Sequence, residues 1–589
     1  MGERSHRWLA LASFVVAAVL LVGPRAILTP GEVAGNGIDL PGTLWIHWWV
    51  RTTVERFTLP IWTDLLFYPD GKNFFHDTGA NYIDAWLGTP FQWLLGVPDF
   101  LDPLNVVIVV GNAIAMYALA TEVTEGKHPA AAWAASVGFA VNPYVIMHVQ
   151  DGRPTQAMLW FAILATRQIL RIRTGTMRDA VWFGVYTALA GLTYWFVVYF
   201  IALALLPIAL MELWRAPRLV AGRLAVAMAV AVGVCSPFLL GIYQAIGDGD
   251  VGRLGFTVFE ESPASAPARW RLTADQLQTA TCIGALAIGV LAFRRTAPWI
   301  VGIALATTFA IGGRADFVDP PVTNPLFQLM YEHLPLISRL GFPERVQAMS
   351  FILLAMVVAA GLAKMDAVYA FLFAAVALTE PLYRQVIPVP STGFPIPPGN
   401  ELIRDEGGPV IHLPFGSNED AMVYQTLHGQ PLFGGMGERE DDLRPDGYNE
   451  RLKNGFIIML GGTANDNDVP IAYTAEERAA ISAEYRWVWF DRRFNPPSWT
   501  AFGYDKDSKY LRLVKELGVP RMEDHEYALW DLKAAVPADA PGLGPNAVRT
   551  GGELLRMETA TLAPSAPSNG GSPTDQPFSK QNFEKQPKR

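Results

Sequence analysis
The sequence is poor in charge and poor in cysteine. Lys, Arg, Asp and Glu make up 17% of its 589 residues, against 51% hydrophobic residues. A soluble chain carries about a quarter charged residues, so a large water-soluble fold is excluded. The two cysteines, Cys235 and Cys282, both lie in apolar runs. That pattern argues against a zinc cluster and a disulfide framework, and makes them small buried hydrophobes. Basic residues are outnumbered by acidic ones, for a net charge of −9, which argues against nucleic acid as a partner. A Walker loop, an HExxH pair, a CxxC pair and a serine nucleophile elbow are also missing. The glycines of "FGGMG" at 433–437 have no βαβ context and form a turn. The acids of "DGD" at 248–250 and "DND" at 466–468 are turn acids.

Apolar sequence is what the chain has in abundance, in blocks near the length that crosses a bilayer as helix. Spans fall at roughly 8–24, 104–121, 131–148, 155–170, 179–193, 195–213, 223–244, 276–293, 297–312, 346–363 and 366–383. The fold class is therefore mainly α, a polytopic helical membrane protein of about eleven spans. The positive-inside rule orients it. With the N-terminus in the cytoplasm, one side receives Arg4 and Arg7, Lys127, the arginines of 167–178 and 215–223, Arg294 and Arg295, and Lys364. The other side receives the long loops 25–103, 245–275 and 313–345, and everything after residue 384. This count needs the stretch "AGLTYWFVVYF" to break one long apolar run into two spans.

Beyond the spans, "VIPVPSTGFPIPPGN" predicts an extended proline-rich linker. Residues 385–535 then predict a mixed α/β extracytoplasmic domain. "GPVIHLPF" and "EYALWDL" are strands, and "AMVYQTLHG" is a helix or strand. "TAEERAAISAEYRWVWF" opens a helix with a capping box, and "KYLRLVKELGV" is a helix ended by Gly518. Residues 536–589 are rich in Pro, Ser, Gly and Ala and predict disorder.

Five stretches together carry a resemblance. "GNGID" places Asp39 about fifteen residues beyond the first span. "LWIHWW" and "LLFYPDG" form an aromatic-rich loop. "AAWAASVGFAVNPYVIMHVQDGR" is a span followed by a tight polar loop. "PLISRLGFPERVQAMSFILLAM" brings proline and arginine to the start of a late span, and "GPVIHLPF...YQTLHGQPLFGG" opens the outer domain. In this order they resemble the C-type (GT-C) superfamily of polytopic membrane glycosyltransferases, over roughly residues 8 to 530. The resemblance implies a bacterial enzyme of the cytoplasmic membrane. It would take a polyprenyl-phosphate sugar as donor and a glycan, lipid or protein as acceptor, among membrane lipids and on the outer side. The alternative is a non-catalytic membrane protein or a transporter in envelope glycan or lipid assembly. A transporter would carry mid-membrane charge and matched broken helices, and the spans are nearly free of charge.

Transfer to a hydroxyl needs a general base and stabilisation of the departing phosphate. Asp39 is the candidate base, or else a loop acid beside glycine. Arg345 is the candidate phosphate clamp, since a guanidinium fork matches phosphate oxygens, or else an interfacial anchor. Arg339 is the second choice. Asp151 and Arg153 can contact sugar or phosphate, or form a local ion pair. Asp70, His76 and Asp77 can orient an acceptor or bind a divalent cation, and the sequence fixes no cofactor. The histidines His47 and His76 also suit packing. Trp48, with Trp45 and Trp49 on one helical face, can stack on a sugar ring or belong to an interfacial aromatic belt.

Overall fold
In a computed structural model the chain is described at residues 3–37, 39–74, 82–247, 279–315, 322–334, 337, 340, 342–415, 418–436, 444–461, 473–493 and 506–534. Helices occupy each predicted span position, from Glu3–Val22 to Ala367–Tyr383. Among the described residues, five helices are long and apolar enough to cross a membrane: Leu101–Val123, Pro129–Gln150, Phe196–Arg215, Pro217–Gly241 and Pro343–Leu362. The second is interrupted after Ala140. Asn142 caps its continuation by accepting from the Val145 N–H at 3.1 Å, and Pro143 opens that turn, where its missing N–H costs nothing. The "AGLTYWFVVYF" break is present. One helix ends at Thr193, Tyr194 is extended, and the next begins at Phe196.

The helices run between two polar layers. Leu101–Val123, about 34 Å long at 1.5 Å per residue, joins them. At its start Asp102 accepts from the Ala34 N–H at 2.9 Å. At its end Glu122 pairs with Arg171 and Arg167. The helices Met177–Thr193 and Phe196–Arg215 repeat this polarity. Asp179 pairs with Arg171 and Glu212 with Arg173 and Arg215 at one end, while Tyr194 meets Arg345 at the other. The basic loops therefore gather at one end of the bundle. Asn112, buried mid-helix, secures the chain between the layers: it donates to the Ala157 carbonyl at 2.8 Å and accepts from Leu159 N–H at 2.9 Å.

The opposite end carries the long first loop and the C-terminal unit, packed on each other. Here the proline-rich linker is docked: Ser391–Gly393 pairs antiparallel with Glu32–Ala34. The C-terminal unit holds a four-stranded sheet in the order Val410–Leu413, Trp487–Asp491, Tyr527–Asp531, Met522–Glu523. The first pair is parallel and the rest antiparallel. Its helix Ala475–Glu484 starts with the full capping box of Thr474 and Glu477, and Lys506–Leu517 ends before Gly518 at φ 87. Residues 536–589, predicted disordered, lie outside the described residues.

The aromatic belt requires correction. Trp45, Trp48 and Trp49 lie on the helix Leu40–Glu55 but are at most 6% exposed. Trp45 stacks on Trp49 and Phe74 with centroids 5.7 and 5.4 Å apart. Its indole N–H donates to Gln425 Oε1 of the C-terminal unit at 2.6 Å. Docking that unit covers the face the sequence offered to a membrane surface, and aromatic faces gain more from full burial than from a half-wet interface.

Candidate functional site
The site begins with two glycine-bearing segments in backbone contact. Asn36 and Gly37 donate their N–H groups to the Gln150 carbonyl at 2.9 and 3.2 Å. A Cβ on Gly37 would lie 2.5 Å from the Asp151 Cα. One on Gly152, itself at φ 70, would lie 2.6 Å from the Leu40 Cβ. Only glycine permits such an approach. The approach sets Asp39 beside the 151–153 turn.

Asp39 occupies the N-cap position of Leu40–Glu55, yet its side chain makes no capping bond. An aspartate here ordinarily satisfies the helix N–H groups. Instead it accepts a hydrogen bond from Arg153 Nε. Arg153 donates from Nη1 to Asp151 Oδ2 at 2.7 Å. Burial raises the Asp151 carboxyl above its usual value, against the pull of Arg153. Arg345 packs on the Phe342 ring that Arg153 also approaches. The Arg153 and Arg345 guanidinium carbons are 5.8 and 4.5 Å from that ring's centroid, within cation–π range. Arg345 Nη1 also donates to the Tyr194 hydroxyl at 2.9 Å. Two carboxylates and two guanidiniums thus converge from the first loop, the 151–153 turn and the turn before Gln347–Leu362.

A second polar group braces this one. His47 Nδ1 lies 2.8 Å from the Thr43 carbonyl, and its Nε2 lies 3.4 Å from Asp84 Oδ2. Both side chains are 1% exposed. Burial pushes the Asp84 carboxyl above its usual range. Its Oδ2 accepts from the Thr155 hydroxyl at 2.9 Å, two residues beyond Arg153. His148 lies beneath, fully buried, with both ring nitrogens lacking a hydrogen-bond partner and its ring 4.3 Å from that of Tyr144.

Of the predicted residues, the structure brings together Asp39, Asp151, Arg153 and Arg345. Asp70 lies apart, in an ion pair with Arg451 at 2.6 Å that ties the first loop to the C-terminal unit. Trp48 is in the aromatic core. Arg339, His76 and Asp77 lie outside the described residues. Among the described residues no three His, Cys, Asp or Glu side chains are grouped to hold a metal ion. Sequence reasoning missed Phe342, Tyr194 and the His47–Asp84–Thr155 brace. The first two were signalled only by the aromatic residues of "LGFPERVQ" and "LTYWF".

No family model matches the chain, and no curated protein is similar in sequence. The chain is similar to the solved archaeal oligosaccharyltransferase AglB from Archaeoglobus fulgidus, in complex with an inhibitory peptide and a dolichol-phosphate. Identity there is 13%, TM-score 0.46, over 84% of this chain and 70% of that one. It is also similar to the arabinofuranosyltransferase AftD from Mycobacteria, at 13% identity and TM-score 0.46, over 85% of this chain and 37% of that one. ArnT from Cupriavidus metallidurans gives 13% identity and TM-score 0.43, over 90% and 97%. TM-scores below 0.5 leave the functional assignment to this chain's own geometry.

Proposed function
We propose that this chain is a C-type membrane glycosyltransferase, moving a sugar from a polyprenyl-phosphate donor to an envelope acceptor on the outer side of a bacterial cytoplasmic membrane. The observation that carries the reading is Asp39. Its carboxylate forgoes its own helix cap and is held beside Arg153, and Arg345 packs on the Phe342 ring that Arg153 also approaches. That is a base and two phosphate-matching cations at one end of a helical bundle whose basic loops lie at the other.

In this mechanism the donor phosphate draws Arg153 and Arg345 onto its oxygens, where charge-assisted fork contacts are strong. Arg153 then releases Asp39. The freed carboxylate takes the proton of the acceptor hydroxyl as its oxygen attacks the anomeric carbon. The bond from that carbon to the phosphate oxygen breaks, and its electron pair leaves with the phosphate. Attack opposite the phosphate inverts the anomeric centre. Asp151, raised by burial, keeps Arg153 oriented between turnovers.

The test is transfer from radiolabelled polyprenyl-phosphate hexoses and pentoses to a membrane-glycan acceptor by the purified chain. Wild type transfers label and Asp39→Asn does not, with donor binding retained. A wild type inactive with every donor sinks the enzyme reading. The non-catalytic alternative would then stand, since Asp39 and Arg153 already neutralise one another in a closed ion pair.

A further inference from the structure
At the end of the bundle opposite the Asp39–Arg345 cluster, a cavity of about 690 Å³ opens between three segments. They are the loop after Leu101–Val123, the junction between the helices Thr279–Val290 and Phe293–Ala310, and the end of Gln347–Leu362. The lining is mixed, and its exposed apolar side chains are Val290, Leu291 and Phe293. The rim carries three cations, Lys127, Arg295 and Lys364, against one carboxylate, Glu125. Glu125 bridges two of them, at 2.8 Å to Lys127 and 3.4 Å to Arg295. It does so at φ 55, a left-handed conformation that non-glycine residues adopt at a cost. That conformation closes the preceding helix in a Schellman turn, with the Glu125 N–H donating to the Glu122 carbonyl at 3.2 Å and the Gly126 N–H to the Thr121 carbonyl at 2.8 Å, and it leaves the Glu125 carboxylate between two cations at the cavity mouth.

We propose that this cavity binds the headgroup of an anionic phospholipid, whose phosphate displaces Glu125 from Lys127 and Arg295. A free phosphate needs the cations but has no use for the apolar side chains. A glycerophospholipid uses both, with its phosphate on the rim and its glycerol and first methylenes on Val290, Leu291 and Phe293. The excess of rim cations over the one carboxylate attracts a phosphodiester anion. By the positive-inside orientation this end faces the cytoplasmic leaflet, and basic pockets between membrane helices on that side suit acidic headgroups. The site shares no residue with the proposed transfer centre and stands independently of it.

The full chain is reconstituted in nanodiscs of phosphatidylcholine, with or without phosphatidylglycerol, and retained lipid is counted by native mass spectrometry. Wild type should hold at least one phosphatidylglycerol that the Arg295→Gln/Lys364→Gln double variant loses. The melting gain from phosphatidylglycerol should fall to less than half in that variant. Glu125→Gln, which removes the competing carboxylate and no cation, should retain the lipid several-fold more strongly. Millimolar inorganic phosphate should not displace it. Equal retention by wild type and the double variant overturns the proposal, as does weaker retention by Glu125→Gln. Displacement by inorganic phosphate alone would identify a simple anion site and overturn the lipid assignment.

Discussion

The Arg153 guanidinium donates through Nε to Asp39 and through Nη1 to Asp151, so one cation holds two carboxylates from two segments of the chain. Each carboxylate comes from an element that glycine brings into contact, and Arg153 is drawn to both. The same cation shares the Phe342 ring with Arg345. Arg153 is thus the hinge between the proposed base and the proposed phosphate site.

Its fork geometry is the testable part. Arg153→Lys keeps the charge but cannot serve two acids and a phosphate at once. Losing one charge-assisted bond is worth about 1.5–3 kcal/mol, so the donor KM should rise about 10- to 100-fold. Arg345→Ala should also weaken donor binding. Asp39→Asn should instead lower kcat, by about 10²–10⁴-fold, with donor affinity near wild type. Steady-state kinetics with labelled donor separate the two classes. A pure kcat loss in both arginine variants would remove them from phosphate binding.

The glycine contact makes a structural prediction. Gly37→Ala drives a Cβ to 2.5 Å from the Asp151 Cα and carbonyl oxygen, backbone atoms that cannot step aside. Melting in detergent should fall by several degrees and transfer by more than tenfold. Gly222→Ala, in the helix Pro217–Gly247 with nothing near its Cβ, is the control. It should melt at or above wild type, because alanine is favoured over glycine in a helix by about 1 kcal/mol. Equal melting of the two variants would show that the contact tolerates a methyl group.

Acid should destabilise the C-terminal unit through His412. This ring is buried beside the stacked Tyr424 and Trp489 with neither nitrogen hydrogen-bonded, and burial lowers its pKa to about 4. The folded value lies below the ordinary 6.5, so the unfolded chain takes up the proton first as pH falls. Stability present above pH 6.5 is lost between pH 6.5 and about 4, by about 3 kcal/mol for such a shift. His428, lowered by burial to about 3, adds to the same limb. His412→Phe gives up no hydrogen bond, so it should melt like wild type at pH 7.5 and lose less stability at pH 4.5. An unchanged acid limb in that variant would assign the pH dependence elsewhere.

Orientation is read by labelling. In a background without Cys235 and Cys282, a cysteine at the exposed Val519 should react with an impermeant thiol reagent in outer-membrane-permeabilised cells. One at the exposed Thr174 should react only after lysis. The reverse pattern inverts the topology and moves the proposed transfer site to the cytoplasmic side.

Local pattern made much of this legible. Hydrophobic block length located the helices, and keeping the basic loops on one side required the break at Tyr194. The Thr474 capping box and Gly518 set two helix ends, because caps and stops act within one turn. Asp39, Asp151, Arg153 and Arg345 were visible as polar residues at the edges of apolar blocks, where a charge has few structural reasons to be. The exposure of the tryptophans was misread. The amphipathic helix Leu40–Glu55 shows an apolar face without showing what covers it, and membrane and protein both satisfy that pattern.

The sequence by itself determined that the chain is a bundle of apolar helices with its basic loops on one side, since both follow from composition and spacing along a single helix. Only the tertiary structure decided that Asp39 meets Arg153 from 114 residues away, that both arginines approach the Phe342 ring, and that Asp70 braces the C-terminal unit through Arg451. Such pairings depend on which helices pack together and how closely two backbones approach. Those are set by side-chain fit across the whole core, and no local stretch of sequence encodes them.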